Sequence, residues 1–522
     1  MFEIKSNRMI TMAMLYLGIP VIIFFFGFFN IFAGLVSASL FITVSFLLLK
    51  DLKREGADLN SVKIPWKFLI ITVLLALFIS FFTGVGEFFV WTSEDHQVRR
   101  AMMRDLVDYK WPLIYDPSTQ TNPEVIEAIS GRGSYMLVYY LTYWMPAALV
   151  GKLAGFTAAN VALLIYNSIG IVLIVLSMAT YLKRASYATI VMLICFSGLD
   201  VIPYVIRTVS GMGMVWGFEG YVKHMSMISN IYSLMNVFNQ CIPTWLIVTV
   251  IINLKDCRSV GYWGGLLFAF SPWGTIGLVP IALCKVFTDR KLRDLLTPAN
   301  LVTPIVSLFM FGSFYLASSG GTDVRGFTLS FFLKDGDSFG GFIISYLVLI
   351  LTEVGMYFLI LYKRQKKNPL FWVCIGELLL LPLYKISETN DFLMRGAMAP
   401  LFILCVFTAQ KISEITAENI LLKRKKKKRP VKENLRIASA SLLLLLSFYV
   451  TWEMTAIILS SSLAPYLVKA YGLSEDAIPP RHEEDIGSFG NFNKALTFER
   501  SNRQLFQYDF RDTLYFKYLA RE

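Results

Sequence analysis

Glu94, Asp95 and His96 stand side by side just after an apolar run, in the string WTSEDHQVRRAMMRDLVDYKWPLIYDP from Trp91 to Pro117. A carboxylate at the exit of a membrane helix can take a proton from an incoming hydroxyl, as a general base does. The alternative is local. Ser93, Glu94 or Asp95 caps a helix start, where such side chains satisfy unpaired amides. The following stretch from Gln97 to Tyr109 has apolar Val98, Met102, Leu106 and Tyr109 at helical spacing. It is predicted to lie along the interface as an amphipathic helix, with Arg99, Arg100, Arg104, Asp105 and Asp108 on its polar side.

Two further clusters carry charge that could meet a phosphate. Glu219, Lys223 and His224 fall in one polar loop; Lys223 and His224 are candidate phosphate ligands, lysine acting as a point charge. An interfacial loop with a snorkelling Lys223 explains the same residues. The second cluster is Glu388-Thr389-Asn390-Asp391-Phe392-Leu393-Met394-Arg395. An arginine opening an apolar helix is costly unless paired or functional. Asp391 and Arg395 fit an ion pair one turn apart, and equally a phosphate-binding arginine oriented by Asp391. Asp200, Glu353, Glu377 and Glu453 lie within apolar segments, where carboxylates commonly mark proton or ion paths.

The chain lacks the other common signatures. It contains no phosphate-cradling glycine loop, no HExxH and no GxSxG. Its six cysteines form no CxxC pair, so neither a disulfide framework nor a zinc site is suggested. His96, His224 and His482 are too scattered for a metal cage. Glu94, Asp95 and His96 could contribute ligands to a divalent ion, although three adjacent residues cannot all face one ion without distorting the loop.

The elements that position these residues are membrane helices. Of 522 residues, 55% are hydrophobic and 16% charged, against about 25% charged in soluble proteins. About thirteen apolar segments run at 9–28, 31–50, 67–86, 134–152, 158–181, 186–206, 240–254, 260–286, 298–318, 339–362, 369–384, 394–411 and 437–460. The fold class expected is all-α, a polytopic transmembrane bundle in the cell membrane. The net charge of +12 sits largely in short runs between apolar segments, the positive-inside pattern rather than a nucleic-acid surface. The run Lys423–Arg429 reads as a cytoplasmic stop able to touch anionic lipid. Tracing outward from it, and forward from Lys5 and Arg8, puts the N-terminus in the cytoplasm. Residues 87–133, 207–239, 319–338, 385–393 and 461–522 then fall on the extracytoplasmic side. Basic residues flank 260–286 at both ends, so Ser271-Pro272-Trp273-Gly274 should break it into a re-entrant pair, with a partial crossing near Gly151–Phe156. Such breaks survive where protein or a water-filled cavity satisfies the backbone. Four regions follow: an N-terminal hairpin and basic loop (1–66), a core (67–412), a basic loop with the last helix (413–460), and an extracytoplasmic C-terminal region (461–522) rich in Phe and Tyr.

This pattern resembles the GT-C superfamily of membrane glycosyltransferases. The resemblance spans roughly residues 67–400. It rests on a helix ending in a long loop with the acidic pair Glu94-Asp95, the interfacial helix in that loop, and the aromatic string SYMLVYYLTYWMPAALVGKLAG from Ser134 to Gly155. The string ETNDFLMRGAMAP (Glu388–Pro400) adds to it. The family usually has one helix before the loop, whereas here two extra apolar segments come first. The resemblance implies a polyprenyl-phosphate sugar donor, an acceptor hydroxyl, and inversion on the extracytoplasmic face. Asp95 is then the catalytic carboxylate, with Glu94 second; Arg395, Lys223 and His224 hold the donor phosphate, with His96, Asp391, Arg99 and Glu219 in support. Two other readings stay open. Broken helices and deep carboxylates suit a transporter or flippase of lipid-linked or small polar substrates, and the aromatic C-terminal stretch suits a non-catalytic subunit of an envelope-assembly complex.

Overall fold

The computed structural model describes residues 1–54, 61–88, 94–116, 134–211, 219–289, 292–317, 324–425, 428–459, 488–489, 505–507 and 510–521. Helices dominate it: α1 (Ser6–Phe28), α2 (Ile31–Arg54), α3 (Trp66–Phe82), α4 (Glu94–Asp108), α5 (Met145–Ala154), α6 (Phe156–Tyr181), α7 (Ala188–Cys195), α8 (Val201–Val209), α9 (Asn230–Asn236) and α10 (Phe238–Asn253) form the first half. The second half is α11 (Val260–Phe268), α12 (Pro272–Asp289), α13 (Pro298–Tyr315), α14 (Thr328–Lys334), α15 (Phe339–Ile350), α16 (Met356–Gln365), α17 (Pro369–Leu380), α18 (Asp391–Gly396), α19 (Met398–Arg424) and α20 (Val431–Ser447).

Among the described residues, seven helical spans are long and apolar enough to cross a membrane: Ser6–Phe28, Ile31–Leu52, Phe156–Tyr181, Pro298–Tyr315, Phe339–Gln365, Asp391–Arg424 and Val431–Leu459. Trp66–Phe82, Phe238–Asn253 and Pro369–Leu383 are shorter apolar helices. The protein is thus an all-α polytopic bundle, with fewer long spans than the thirteen apolar segments of the sequence. The difference has a physical cause. Three segments are cut into pieces, most of them well short of the roughly 20 residues a bilayer requires, and the 18-residue α12 is not among the spans apolar enough to cross. Segment 134–152 opens on a strand and a 3₁₀ turn before α5, 186–206 breaks between α7 and α8, and 260–286 breaks between α11 and α12. The last break falls at the predicted Ser271. Its hydroxyl accepts from the Gly274 amide at 3.1 Å and donates to Gln240 Oε1 at 2.9 Å, so protein groups replace the lost helical partner. Likewise α5 ends and α6 begins at Gly155, within the predicted interruption.

At the centre sits α10, buried on all sides against α1, α6, α11, α12 and α19. Its polar side chains turn inward on its own backbone: Thr244 donates to the Gln240 carbonyl at 2.7 Å and Thr249 to Leu246 at 2.8 Å. Lipid tails compete with apolar side chains on equal terms, so close packing must hold such helices together. Trp245 stacks on Phe402 of α19 at 4.9 Å and 9°, and Gly277 of α12 lets the Gly396 carbonyl of α18 approach.

Short sheets tie the ends. β1 (Phe2–Lys5) pairs with β2 (Ser61–Ile64), and β3 (Ile114–Tyr115), β4 (Tyr135–Leu137) and β7 (Phe506–Gln507) form one antiparallel sheet; β5 (Arg325–Phe327) pairs with β6 (Tyr384–Ile386). The described part of the C-terminal region packs back onto the bundle. Tyr515 donates to the Phe28 carbonyl at 2.6 Å, Arg521 to Phe26 at 3.0 Å, and Phe489 is fully buried.

Candidate active site

Helix α4 is amphipathic as predicted, with Val98, Ala101, Met102 and Leu106 buried. Lys152 closes its far end, donating to the carbonyls of Tyr109 at 2.6 Å and Val107 at 3.2 Å, which are among the carbonyls a helix terminus leaves unpaired. Arg104 lies over the Phe156 ring at 4.6 Å. Asp105 departs from the expectation of a solvated face: it is fully buried, accepting from Tyr115 at 2.7 Å and the Phe489 amide at 3.0 Å. Sequence spacing cannot reveal this, because both donors arrive from other elements.

Glu94 is the first residue of α4, and its side chain lies outside the described residues. Asp95 follows, its side chain 59% exposed and 3.7 Å from Arg99. Arg99 is 11% exposed. It donates to the Met235 carbonyl at 2.7 Å and lies over the Phe238 ring at 5.3 Å. Burial lowers its affinity for a proton, Asp95 restores part, and Arg395 opposes it. Arg395 sits on α18, where Asn390 caps the helix start by accepting from the Leu393 amide at 3.3 Å. The guanidinium pairs with Asp391 one turn earlier, as the spacing predicted, and is 15% exposed.

Both arginine–aspartate pairs bear electrostatically on Tyr139, in the short stretch between β4 and α5. Burial pushes its phenol up, Arg395 and Arg99 pull it down, and Asp95 and Asp391 push it up again. Tyr232 of α9 feels Asp95, Arg99 and Arg395 as well as Glu219. Tyr140 adjoins Arg395 and shares a hydrogen bond with Trp273. Arg395 Nε is buried without a hydrogen-bond partner, as are the donors Asn236 Nδ2 and Asn239 Nδ2 and the acceptor Asn239 Oδ1, chain neighbours of the Met235 and Phe238 that Arg99 meets. An unmet buried donor costs on the order of 1–3 kcal/mol. A multi-oxygen anion between the arginines would satisfy such groups, because guanidinium forks match phosphate oxygens.

The remaining predicted residues have partners of their own. His96 is half-buried on α4, its imidazole driven down to about 3 by desolvation and by Arg99. Lys223 pairs with Asp337 at 3.0 Å. His224 is held between Asp335 at 2.9 Å and the buried Lys385 at 2.8 Å, and its carbonyl accepts from Asn390. Both side chains thus enter a local ion-pair network, and the bond from Asn390 ties His224 to the start of α18. Glu219 is buried and its carboxylate accepts from the Ser229 amide at 3.1 Å, closing the start of α9. It neighbours a second acidic group, in which Tyr221 donates to Glu353 at 2.6 Å and Ser197 to Asp200 at 2.8 Å. Among the described residues no group of three or more His, Cys, Asp and Glu side chains gathers to hold a metal ion.

Sequence reasoning missed Tyr139, Tyr140, Tyr232 and the Asn236/Asn239 amides as site residues. A signal was present: the polar string Asn236, Asn239, Gln240 opens an otherwise apolar helix, where unpaired amides are costly. Comparison with family models, with curated proteins and with solved structures finds no match for this chain.

Proposed function

We infer that the chain is a membrane glycosyltransferase that moves a sugar from a polyprenyl-phosphate donor to an acceptor hydroxyl on the extracytoplasmic face, with inversion. One observation carries this: the solvent-exposed carboxylate of Asp95 pairs with Arg99 at 3.7 Å, and both act electrostatically with Arg395 on the same buried tyrosine, Tyr139. Asp95 takes the proton from the acceptor hydroxyl, whose oxygen attacks the anomeric carbon. The bond from that carbon to the phosphate oxygen breaks, and its electron pair leaves with the polyprenyl phosphate. Arg395 and Arg99 stabilise the charge on the leaving phosphate, the kind of preorganised electrostatic assistance that dominates many enzymes. Asp391 orients Arg395, and Glu94 is the second candidate base. The long apolar spans keep the site at the surface from which a lipid-linked donor is drawn.

The test is Asp95→Asn in protein reconstituted with a radiolabelled polyprenyl-phosphate sugar and an acceptor extract. Transfer should fall by roughly 10²–10⁴, the usual worth of a general base, with the thermal midpoint in detergent unchanged, because an exposed pair contributes little to stability. Full activity in Asp95→Asn would remove the base assignment. A transporter or flippase is the second reading, favoured by the buried Asp200–Glu353–Tyr221 group. It gains if Glu353→Gln abolishes function while Asp95→Asn does not.

A further inference from the structure

The loop ahead of α9 meets the start of α18 at a joint built around His224. Three residues there, His224, Ser387 and Asn390, hold positive φ values of 60°, 75° and 58°. Residues other than glycine rarely adopt that backbone region, and it persists only where the surroundings impose it. Here hydrogen bonds impose it. The Asn390 amide donates to the His224 carbonyl at 2.8 Å, and Asn390 Oδ1 accepts from the Leu393 amide at 3.3 Å. Ser387 Oγ accepts from the Asp391 amide at 2.9 Å. The joint thus sets where α18 begins, and Asp391 and Arg395 ride on that helix.

The imidazole decides whether the joint holds. Its Nε2 lies 2.9 Å from Asp335 Oδ2, and its Nδ1 lies 2.8 Å from Lys385 Nζ. An ammonium only donates and a carboxylate only accepts. A neutral ring with its proton on Nε2 satisfies both partners, and no other form does. Lys385 is 3% exposed, with the Phe331 ring centroid 5.0 Å from its Nζ. A second proton on the ring would turn an N–H towards that buried ammonium and remove its acceptor, a costly loss. The other charges at the joint are Lys223, paired with Asp337 at 3.0 Å, and Glu388 beside Lys385. Burial, then Lys385, holds the imidazole below its ordinary 6.5, against the bond and charge of Asp335. The closed joint therefore binds this proton more weakly than an open one. Its stabilisation is complete above about pH 6.5 and is lost as pH falls. The side chain is 17% exposed, so protons reach it from solvent.

We propose that His224 is a positioning residue for α18, a pin that holds Arg395 in place while its ring is neutral and lets go when the ring gains a proton. The consequence for catalysis rests on the transfer reading, whereas the pinning of α18 does not.

The experiment follows ring and helix together in the full-length protein in lipid nanodiscs. The chain has three histidines, so NMR of carbon-13-enriched histidine rings separates them, with His224→Asn identifying the signal. Hydrogen exchange of residues 387–397 is measured over the same pH range and corrected against an unstructured peptide. In the wild type His224 should titrate below 6.5. Protection of 387–397 should fall with that titration by about ten-fold, the scale of one buried hydrogen bond. Asparagine tolerates positive φ and offers Lys385 an acceptor that does not titrate. His224→Asn should therefore keep the protection and free it from pH. Lys385→Met removes the neighbouring charge and should raise the midpoint of the His224 titration. Protection that falls equally in His224→Asn, or that ignores the titration in the wild type, would overturn the proposal, as would an unchanged midpoint in Lys385→Met. The donor KM, measured in parallel, should rise as protection is lost in the wild type and stay level in His224→Asn. Loss of protection as expected, with no sugar transfer at any pH, would sink the transfer reading and leave the pin standing.

Discussion

Arg99 of α4 and Arg395 of α18 act on each other electrostatically, and each is paired with an aspartate one helical turn earlier. Both also bear on the buried Tyr139. Each guanidinium is a planar fork able to hold a phosphate oxygen pair.

The first prediction concerns Arg395. Lysine keeps the charge but not the planar fork. Arg395→Lys should raise the KM for the polyprenyl-phosphate donor about ten-fold or more, the loss of one charge-assisted hydrogen bond, while kcat at saturating donor falls less. Initial rates against donor concentration check this. An unchanged KM would mean that Arg395 serves only its pair with Asp391.

A pH dependence follows from Asp105. Burial lifts its carboxyl from 3.8 to about 6, against the opposing hydrogen bonds from Ser488, Tyr115 and the Phe489 amide. The folded protein therefore binds this proton more tightly than the unfolded chain does. The stabilisation is fully present below about pH 4 and is lost as pH rises through 6. Asp105→Asn, which mimics the protonated form, should gain thermal midpoint relative to the wild type between pH 4 and pH 7. Parallel melting curves in detergent, with the difference independent of pH, would contradict the assignment.

Gly277 offers a packing test. A Cβ there would meet the Gly396 carbonyl oxygen at 2.0 Å, backbone that has no rotamer to give. Gly277→Ala should push α18 from α12 and carry Arg395 with it, destabilising by about 1–3 kcal/mol and weakening donor binding in the same variant. Gly264, whose added Cβ meets nothing within 4 Å, is the control. Equal melting and equal donor KM in Gly277→Ala and Gly264→Ala would show that the close approach is unimportant.

Much of the architecture was legible in the chain, because hydrophobic length and helical period are local properties. The long spans, the break at Ser271, the interruption at Gly155, the amphipathic α4 and the Asp391–Arg395 pair all follow from residues within a turn or two of one another. Orientation was read from charge placement and belongs to the proposal rather than to the fold.

What only tertiary structure decided is which charges meet. Asp95 and Arg395 lie far apart in sequence, yet both bear electrostatically on Tyr139 and Tyr232. His224 and Lys223, equally plausible from their types, are claimed by Asp335, Lys385 and Asp337, partners that no local pattern announces. Asp105 looked like one more solvated acid until Tyr115 and Phe489 closed over it. Burial and partner choice are non-local, so the same carboxylate or imidazole can be a base, a cap or a strut. The opening triplet shows this within three residues. Asp95 faces solvent and His96 beside it is half-buried, as a helix turns about 100° per residue.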